Sequence, residues 1–336
     1  MTDLTDRHVI VVGAAIGGAA AALLLARAGA RITLLERVAE PAAVGAGIAL
    51  QPNGLSVLYG LGLRDALQRT GCPATFFGVR DAAGRVLTSG LVPAGGHGLD
   101  HILIIRRSHL LAALHEAVRA QPGLDLRLGT EVVRATTAGE VTVRGPAGEV
   151  SLRGDLVIGA DGVHSVTRRS GSFGDRERRT GVSYVRALTP HSLPAVPAGE
   201  TWSPLGIFGH FPVEDGTYFY TSAAAPDVRR ALDRRSLPTF QAAWEAVYPP
   251  AGPLIAALGG FDDLLINEVI RVDCDRLADG RLVLLGDAAH AMAPNLGQGA
   301  NSALVDVAIL IEELSRRPDL HAALAVYDAR RRRAVR

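Results

Sequence analysis

The stretch from His8 to Glu36 constrains this chain more than any other. His8-Val-Ile-Val-Val12 is a short, β-rich apolar run of the kind that forms a buried parallel strand. Gly13-Ala-Ala-Ile-Gly-Gly18 follows, then an Ala-rich helix over 19–28 closed by Gly29. Arg31 to Leu35 reads as a second strand, with Glu36 and Arg37 at its end. Strand, Gly-rich turn, helix, strand, acid is half of a dinucleotide-binding fold. Gly13 permits the tight turn and Gly18 lets helix and strand approach closely. Ala15 stands where the middle glycine usually does, so a pyrophosphate at the helix N-terminus, beside Ile16, has less room.

Glu36 lies where a carboxylate accepts hydrogen bonds from a ribose diol. A 2′-phosphate would be repelled there, so the tightly bound nucleotide is expected to be FAD or NAD rather than NADP. This segment alone leaves the choice open. Two later loops bear on it. The strand 155–158 runs into Gly159-Ala-Asp161-Gly-Val-His-Ser-Val-Thr-Arg168. The strand 281–285 runs into Gly286-Asp287-Ala-Ala-His290-Ala-Met-Ala-Pro294, and that loop continues through Gly297, Gln298, Gly299, Ala300 and Asn301 to a helix over 302–314. Each places an Asp at the C-terminal end of a strand, where open α/β sheets bind ligands. The second also presents bare backbone N–H groups at a helix N-terminus, which favour developing negative charge.

In order and spacing, these three segments resemble the flavoprotein monooxygenases of the para-hydroxybenzoate hydroxylase type. Arg107, in Ile-Ile-Arg-Arg-Ser-His-Leu, and the stretch Gly45-Ala-Gly47-Ile-Ala-Leu-Gln-Pro-Asn53 also match that family. The resemblance spans nearly the whole chain. It implies an α/β protein: a Rossmann-like, GR2-type FAD-binding domain with an inserted, mostly antiparallel substrate sheet. The expected division is 1–71, 102–179 and 272–336 for FAD, and 72–101 with 180–271 for substrate. It implies that Gly13, Ala15, Ile16 and Gly18 cradle the pyrophosphate, that Glu36 holds the adenosine ribose, and that Arg37 also belongs to the cofactor site. Gly47 would lie at the flavin edge, Arg107 would reach the pyrophosphate or ribityl chain, and Asp161 would support the cofactor. Asp287 would accept a ribityl hydroxyl, the 297–301 turn would aim N–H groups at the flavin, and Pro294 would sit at its face. The implied reaction uses NADH or NADPH as a transient donor and O2, through a flavin C4a-hydroperoxide, to hydroxylate or epoxidise an aromatic or polycyclic molecule. The alternative is structural FAD serving a non-redox cyclisation or isomerisation. Family members usually continue beyond Asp328-Ala-Arg-Arg331 with another helix or domain, whereas this sequence ends at Arg336.

Composition acts as a filter. The 35 basic residues are all Arg, with no Lys. That excludes a P-loop, Schiff-base and pyridoxal chemistry, protein-kinase and short-chain dehydrogenase machinery, and a flavin halogenase, whose family relays its oxidant through Lys. A net charge of +1 gives no footprint for nucleic acid. The basic run from Arg330 to Arg333, with Arg336, reads as a solvated helix end. Cys72 and Cys274, far apart and outside any CxxC, fit a reduced, cytoplasmic setting, and no signal peptide or stable membrane segment is expected. No metal site is expected, and a monomer or homodimer is.

The aromatics concentrate between 184 and 248, where an apolar pocket is expected. Tyr184, Phe208, Tyr218 and Tyr220 are the candidate substrate contacts. His210, in Phe208-Gly-His-Phe-Pro212, is the candidate base for a phenol, since His titrates near neutrality. His290 and His164 read as structural loop residues.

Overall fold

The computed structural model describes residues 4–40, 46–92, 96, 98–145, 148–294 and 297–335. Gly45 and Arg336, named above, lie outside the described residues. A six-stranded sheet runs in the order Ala278–Asp279, Leu282–Leu284, Leu156–Gly159, His8–Val12, Arg31–Leu35, Leu124–Arg127. Its pairings are parallel except that between the two strands at the 278–284 edge. The continuous apolar runs explain this. Val9 to Val12 and Leu282 to Leu284 are buried throughout, as strands covered on both faces must be. Helices Ile16–Arg27, Arg107–Ala120, Gly299–Arg316 and Leu320–Ala334 supply apolar side chains to this core. So does the antiparallel sheet Glu131–Ala135, Glu140–Gly145, Gly148–Arg153, through Val132, Ala135, Val141 and Val143.

The second large layer is a seven-stranded sheet. Its order is Leu265–Asp273, Arg176–Thr189, Gly216–Ser222, Gly206–Val213, Gly199–Ser203, Phe76–Asp81, Val86–Leu91. All its pairings are antiparallel except Gly199–Ser203 with Phe76–Asp81. Helices Pro226–Asp233, Leu237–Val247 and Ala251–Ala256 build a separate core on one face, with Val185, Ala187, Phe208, Phe219, Phe240 and Trp244 buried in it. A further three-stranded sheet, Gly47–Leu50, Ile102–Arg106, Gly71–Ala74, joins the two layers. The strands Arg176–Thr189 and Gly71–Ala74 run across the expected boundaries at 179 and 71. The molecule is thus the expected α/β architecture, a Rossmann-like domain plus a β-sheet layer. Among the described residues no helix is long and apolar enough to cross a membrane.

Candidate active site

One cleft of about 1020 Å³ opens between the C-terminal ends of the parallel strands and the bare face of the seven-stranded sheet. That volume is at the upper end of the ~300–1,000 Å³ of small-molecule pockets, so there is space for more than one ligand group.

The parallel-sheet end is built for an anion. Gly13 has φ +95°, and a Cβ there would lie 2.5 Å from the Ala160 carbonyl oxygen. A Cβ on Gly18 would lie 1.8 Å from the Gly13 oxygen, so the turn closes only with glycine at both positions. The helix that follows starts at Ile16 after Ala15, with no side-chain cap, so its first N–H groups are left for a ligand. Gly13, Ala15 and Ile16 line the cleft; Gly18 works behind them as a packing residue. Sequence reasoning missed His115, which lies buried on the helix Arg107–Ala120. Its Nε2 lies 2.7 Å from the Ala14 carbonyl oxygen and braces the turn.

Glu36 and Arg37 line the cleft beside this turn. Glu36 accepts the Ala14 N–H at 2.9 Å and the Val38 N–H at 3.0 Å, one on each oxygen. A carboxylate has about four acceptor sites, so acceptor capacity remains. Arg107 also lines the cleft. Burial pulls its pKa below the ordinary arginine value, and the Asp287 carboxylate opposes that. Arg106 points elsewhere, donating through Nε and Nη2 to the Glu214 carbonyl at 3.1 and 2.8 Å.

The two strand-end aspartates differ. Asp161 lines the cleft, but its carboxylate accepts from Ser165 Oγ at 2.5 Å, and from the Thr167 N–H at 3.0 Å and Oγ1 at 3.1 Å. Asp287 is exposed into the cleft, and no hydrogen bond engages its carboxylate among the described residues. Arg168, 1% exposed and also missed, joins the two loops: it donates to the Val163 and Ala288 carbonyls and pairs with Asp175 and Glu177.

Pro294, Gly297, Gly299 and Ala300 line the cleft near the N-terminus of Gly299–Arg316, another helix without a side-chain cap. Gln298 and Asn301 use their side chains within the protein. Gln298 spends its amide on Gln51 and Asn53. Asn301 is fully buried, accepting the Gln51 N–H and donating to the Ala49 and Gly297 carbonyls. Neither side chain lines the cleft. They fasten the turn whose Gly297, Gly299 and Ala300 line the cleft. His290 is structural as expected. Its Nε2 lies 2.7 Å from Asp306 Oδ2, and Arg331 Nε pairs with Oδ1.

The other wall is the sheet. Gly47 carries the Tyr218 ring, since a Cβ there would meet that ring at 2.3 Å. Tyr184, Tyr218 and Tyr220 line the cleft with Phe211, Arg186 and Glu200. Burial raises Tyr218 to about 12, against the lowering effect of Arg186. Burial and the nearby Glu200 carboxylate both push Tyr184 up. Phe208 and His210 correct the sequence reading. Phe208 pairs with Thr221 and His210 with Phe219, so the period of two turns both onto the helix-covered face. Phe208 is fully buried against Phe219 and Trp244; His210 is 3% exposed and lies beside Tyr248. Burial lowers the His210 pKa, the Val196 backbone opposes that, and Arg80 adds to it. Neither residue reaches the cleft, so His210 is not placed to take a substrate proton.

These residues fit a flavin dinucleotide: two uncapped helix N-termini, the Arg107 cation and the Asp287 carboxylate share a single cleft. The comparisons decide which family. The model of the FAD binding domain family matches residues 6–336. The chain belongs to that family. This FAD-dependent protein is 34% identical to 3-amino-4-hydroxybenzoate 2-monooxygenase of Streptomyces cremeus over 339 residues, 93% of this chain and 80% of that protein. It is 32% identical to the FAD-dependent urate hydroxylase of Klebsiella pneumoniae over 349 residues, 97% of this chain and 86% of that one. Klebsiella pneumoniae HpxO complexed with FAD and uric acid has a TM-score of 0.83 at 29% identity, covering 99% of this chain and 86% of its own. 2-Methyl-3-hydroxypyridine-5-carboxylic acid oxygenase gives 0.83 at 28%, covering 98% and 88%. The chain is an FAD-dependent aromatic monooxygenase of the para-hydroxybenzoate hydroxylase type. These relatives favour oxygenation over the non-redox cyclisation or isomerisation that the sequence left open.

Proposed function

We propose that this monooxygenase oxygenates a small aromatic molecule that binds on the tyrosine-lined sheet wall and carries an acidic or otherwise hydrogen-bond-accepting group. The observation that supports this is the continuity of the cleft: a dinucleotide cradle at one end, an aromatic wall with Arg186 at the other. Gly13, Ala15 and Ile16 would hold the pyrophosphate with Arg107, Glu36 the adenosine ribose, and Asp287 a ribityl hydroxyl. The N–H groups of 297–301 would meet the flavin ring edge. Bound FAD supplies the redox chemistry, passing electrons from NADH or NADPH to O2 and one oxygen atom to the ring. On the sheet wall, Tyr184, Phe211 and Tyr218 exclude water and hold an aromatic ring. Arg186 Nη2 donates to Asn267 at 2.9 Å, while its Nε is buried without a hydrogen-bond partner among the described residues. A buried donor left unmade is costly, so a carboxylate or ring oxygen is the favoured occupant.

The test is NADH and NADPH oxidation by the FAD-loaded protein against hydroxybenzoates, aminophenols and hydroxylated heteroaromatics. We expect a subset to accelerate oxidation and to gain one oxygen atom. If no compound does either, the proposal fails. Arg186→Ala should raise KM for acidic substrates roughly 10- to 100-fold, the worth of a hydrogen bond to a charged group, with FAD content unchanged.

A further inference from the structure

The sheet wall holds an arrangement that a merely apolar pocket would not need. Arg186, Tyr220, Gly209 and Glu200 stand in one cross-strand row, each paired in register with the next. Gly209 is the missing side chain in that row. A Cβ there would lie 2.3 Å from the Tyr220 ring and 2.7 Å from its hydroxyl. Tyr220 lies across this glycine, and its hydroxyl donates to Glu200 Oε1, two strands away. Trp202 Nε1 donates to the other Glu200 oxygen at 3.0 Å. Glu200 is 6% exposed, and both it and Tyr220 line the cleft.

A phenol has one hydrogen to give. Tyr220 gives its hydrogen to a buried carboxylate, so the oxygen offers the cleft only lone pairs. Burial and the Glu200 carboxylate push its pKa well above the ordinary tyrosine value, so the hydrogen stays in place. We propose that Glu200 locks Tyr220 as a hydrogen-bond acceptor, and that the site thereby selects aromatic substrates presenting a hydroxyl or amino donor at that point. Gly209 is the positioning residue that allows the lock. Such a contact also enriches the ring in electrons, which suits attack on an electrophilic oxygen. Arg186, across Tyr220 in the row, calls for an acceptor, so the substrate carries a donor and an acceptor side by side. This rests on the reading of the cleft as an aromatic oxygenase site.

The test is equilibrium binding of matched ligands to the oxidised, FAD-loaded enzyme without NADH or NADPH, followed by perturbation of the flavin spectrum. The ligands are the isomeric hydroxybenzoates, the matching methoxybenzoates and benzoate. We expect at least one hydroxybenzoate to bind roughly tenfold tighter than benzoate and its methyl ether, about the value of one hydrogen bond. Tyr220→Phe and Gly209→Ala should each bring that ratio towards one, with FAD content and Tm retained. Glu200→Gln, whose amide turns a donor to Tyr220, should lower or invert it. A ratio unchanged in all three variants overturns the proposal, as does a wild type without donor preference that nonetheless oxygenates aromatics. If no aromatic binds or is oxygenated, the oxygenase reading itself fails and this inference falls with it.

Discussion

Asp161 and Asp287 look equivalent as letters, each following a strand and a glycine-rich turn. Their surroundings divide the work. Asp161 holds its own loop through three hydrogen bonds, whereas Asp287 faces the cleft with no hydrogen bond to its carboxylate among the described residues. Asp161→Ala should therefore cost about 1–3 kcal/mol of folding stability, by stranding the groups it now satisfies. Asp287→Asn should leave the unfolding midpoint near that of the wild type and lower FAD occupancy after dialysis. Denaturant unfolding and flavin absorbance of the two variants separate the roles, and a stability loss in Asp287→Asn with FAD retained would reverse them. Glu36 was legible because a ribose-binding acid has a fixed place after the second strand. His115 and Arg168 were not. Each acts through a partner distant in the fold, and nothing in the local pattern marks it.

At the level of elements, the 286–290 loop is tied to two helices by one carboxylate. Asp306 accepts from the Gly286 N–H at 2.8 Å and pairs with His290 and Arg331, all of them buried. Asp306→Asn would leave the Arg331 charge uncompensated, and we expect a loss of about 3–5 kcal/mol in denaturant unfolding. Burial opposes the His290 charge, but Asp306 more than offsets it and the imidazole pKa is raised. The stabilisation it gives is then complete below the unfolded value of about 6.5 and fades as pH rises through the folded value. His290→Gln should remove that decline when unfolding midpoints are compared across a pH series, and an unchanged decline would place its origin elsewhere. Strands His8–Val12 and Arg31–Leu35 lie where the apolar runs placed them, because a strand buried on both faces has no other pattern. Gly199–Ser203 and Leu265–Asp273 were missed. Both mix polar and apolar residues, and tertiary pairing rather than local pattern makes them strands.

Across the whole molecule, the seven-stranded sheet separates a packed core from the cleft. Aromatics clustered in sequence pointed to a pocket, but which half faces it depends on register, and register is set by strand pairing over distance. Tyr184, Tyr218 and Tyr220 fall on the cleft side, Phe208 and His210 on the core side. Phe208→Ala should cost about 3–5 kcal/mol of stability with ligand affinity ratios preserved. His210→Ala should leave the pH profile of oxygenation as in the wild type, and a shifted profile would restore His210 as the base. The absence of lysine fits this picture: positive charge in the cleft comes from arginines such as Arg107 and Arg186 and from helix N-termini.

The central claim is that FAD held in this cleft delivers oxygen to an aromatic ring on the sheet wall. Turnover of the best substrate from the binding panel under 18O2, with the product weighed by mass spectrometry, tests it most directly. We expect one 18O atom in each molecule of product, formed at the expense of NADH or NADPH. A product without label, or one formed equally well in the absence of O2 and NAD(P)H, would contradict it.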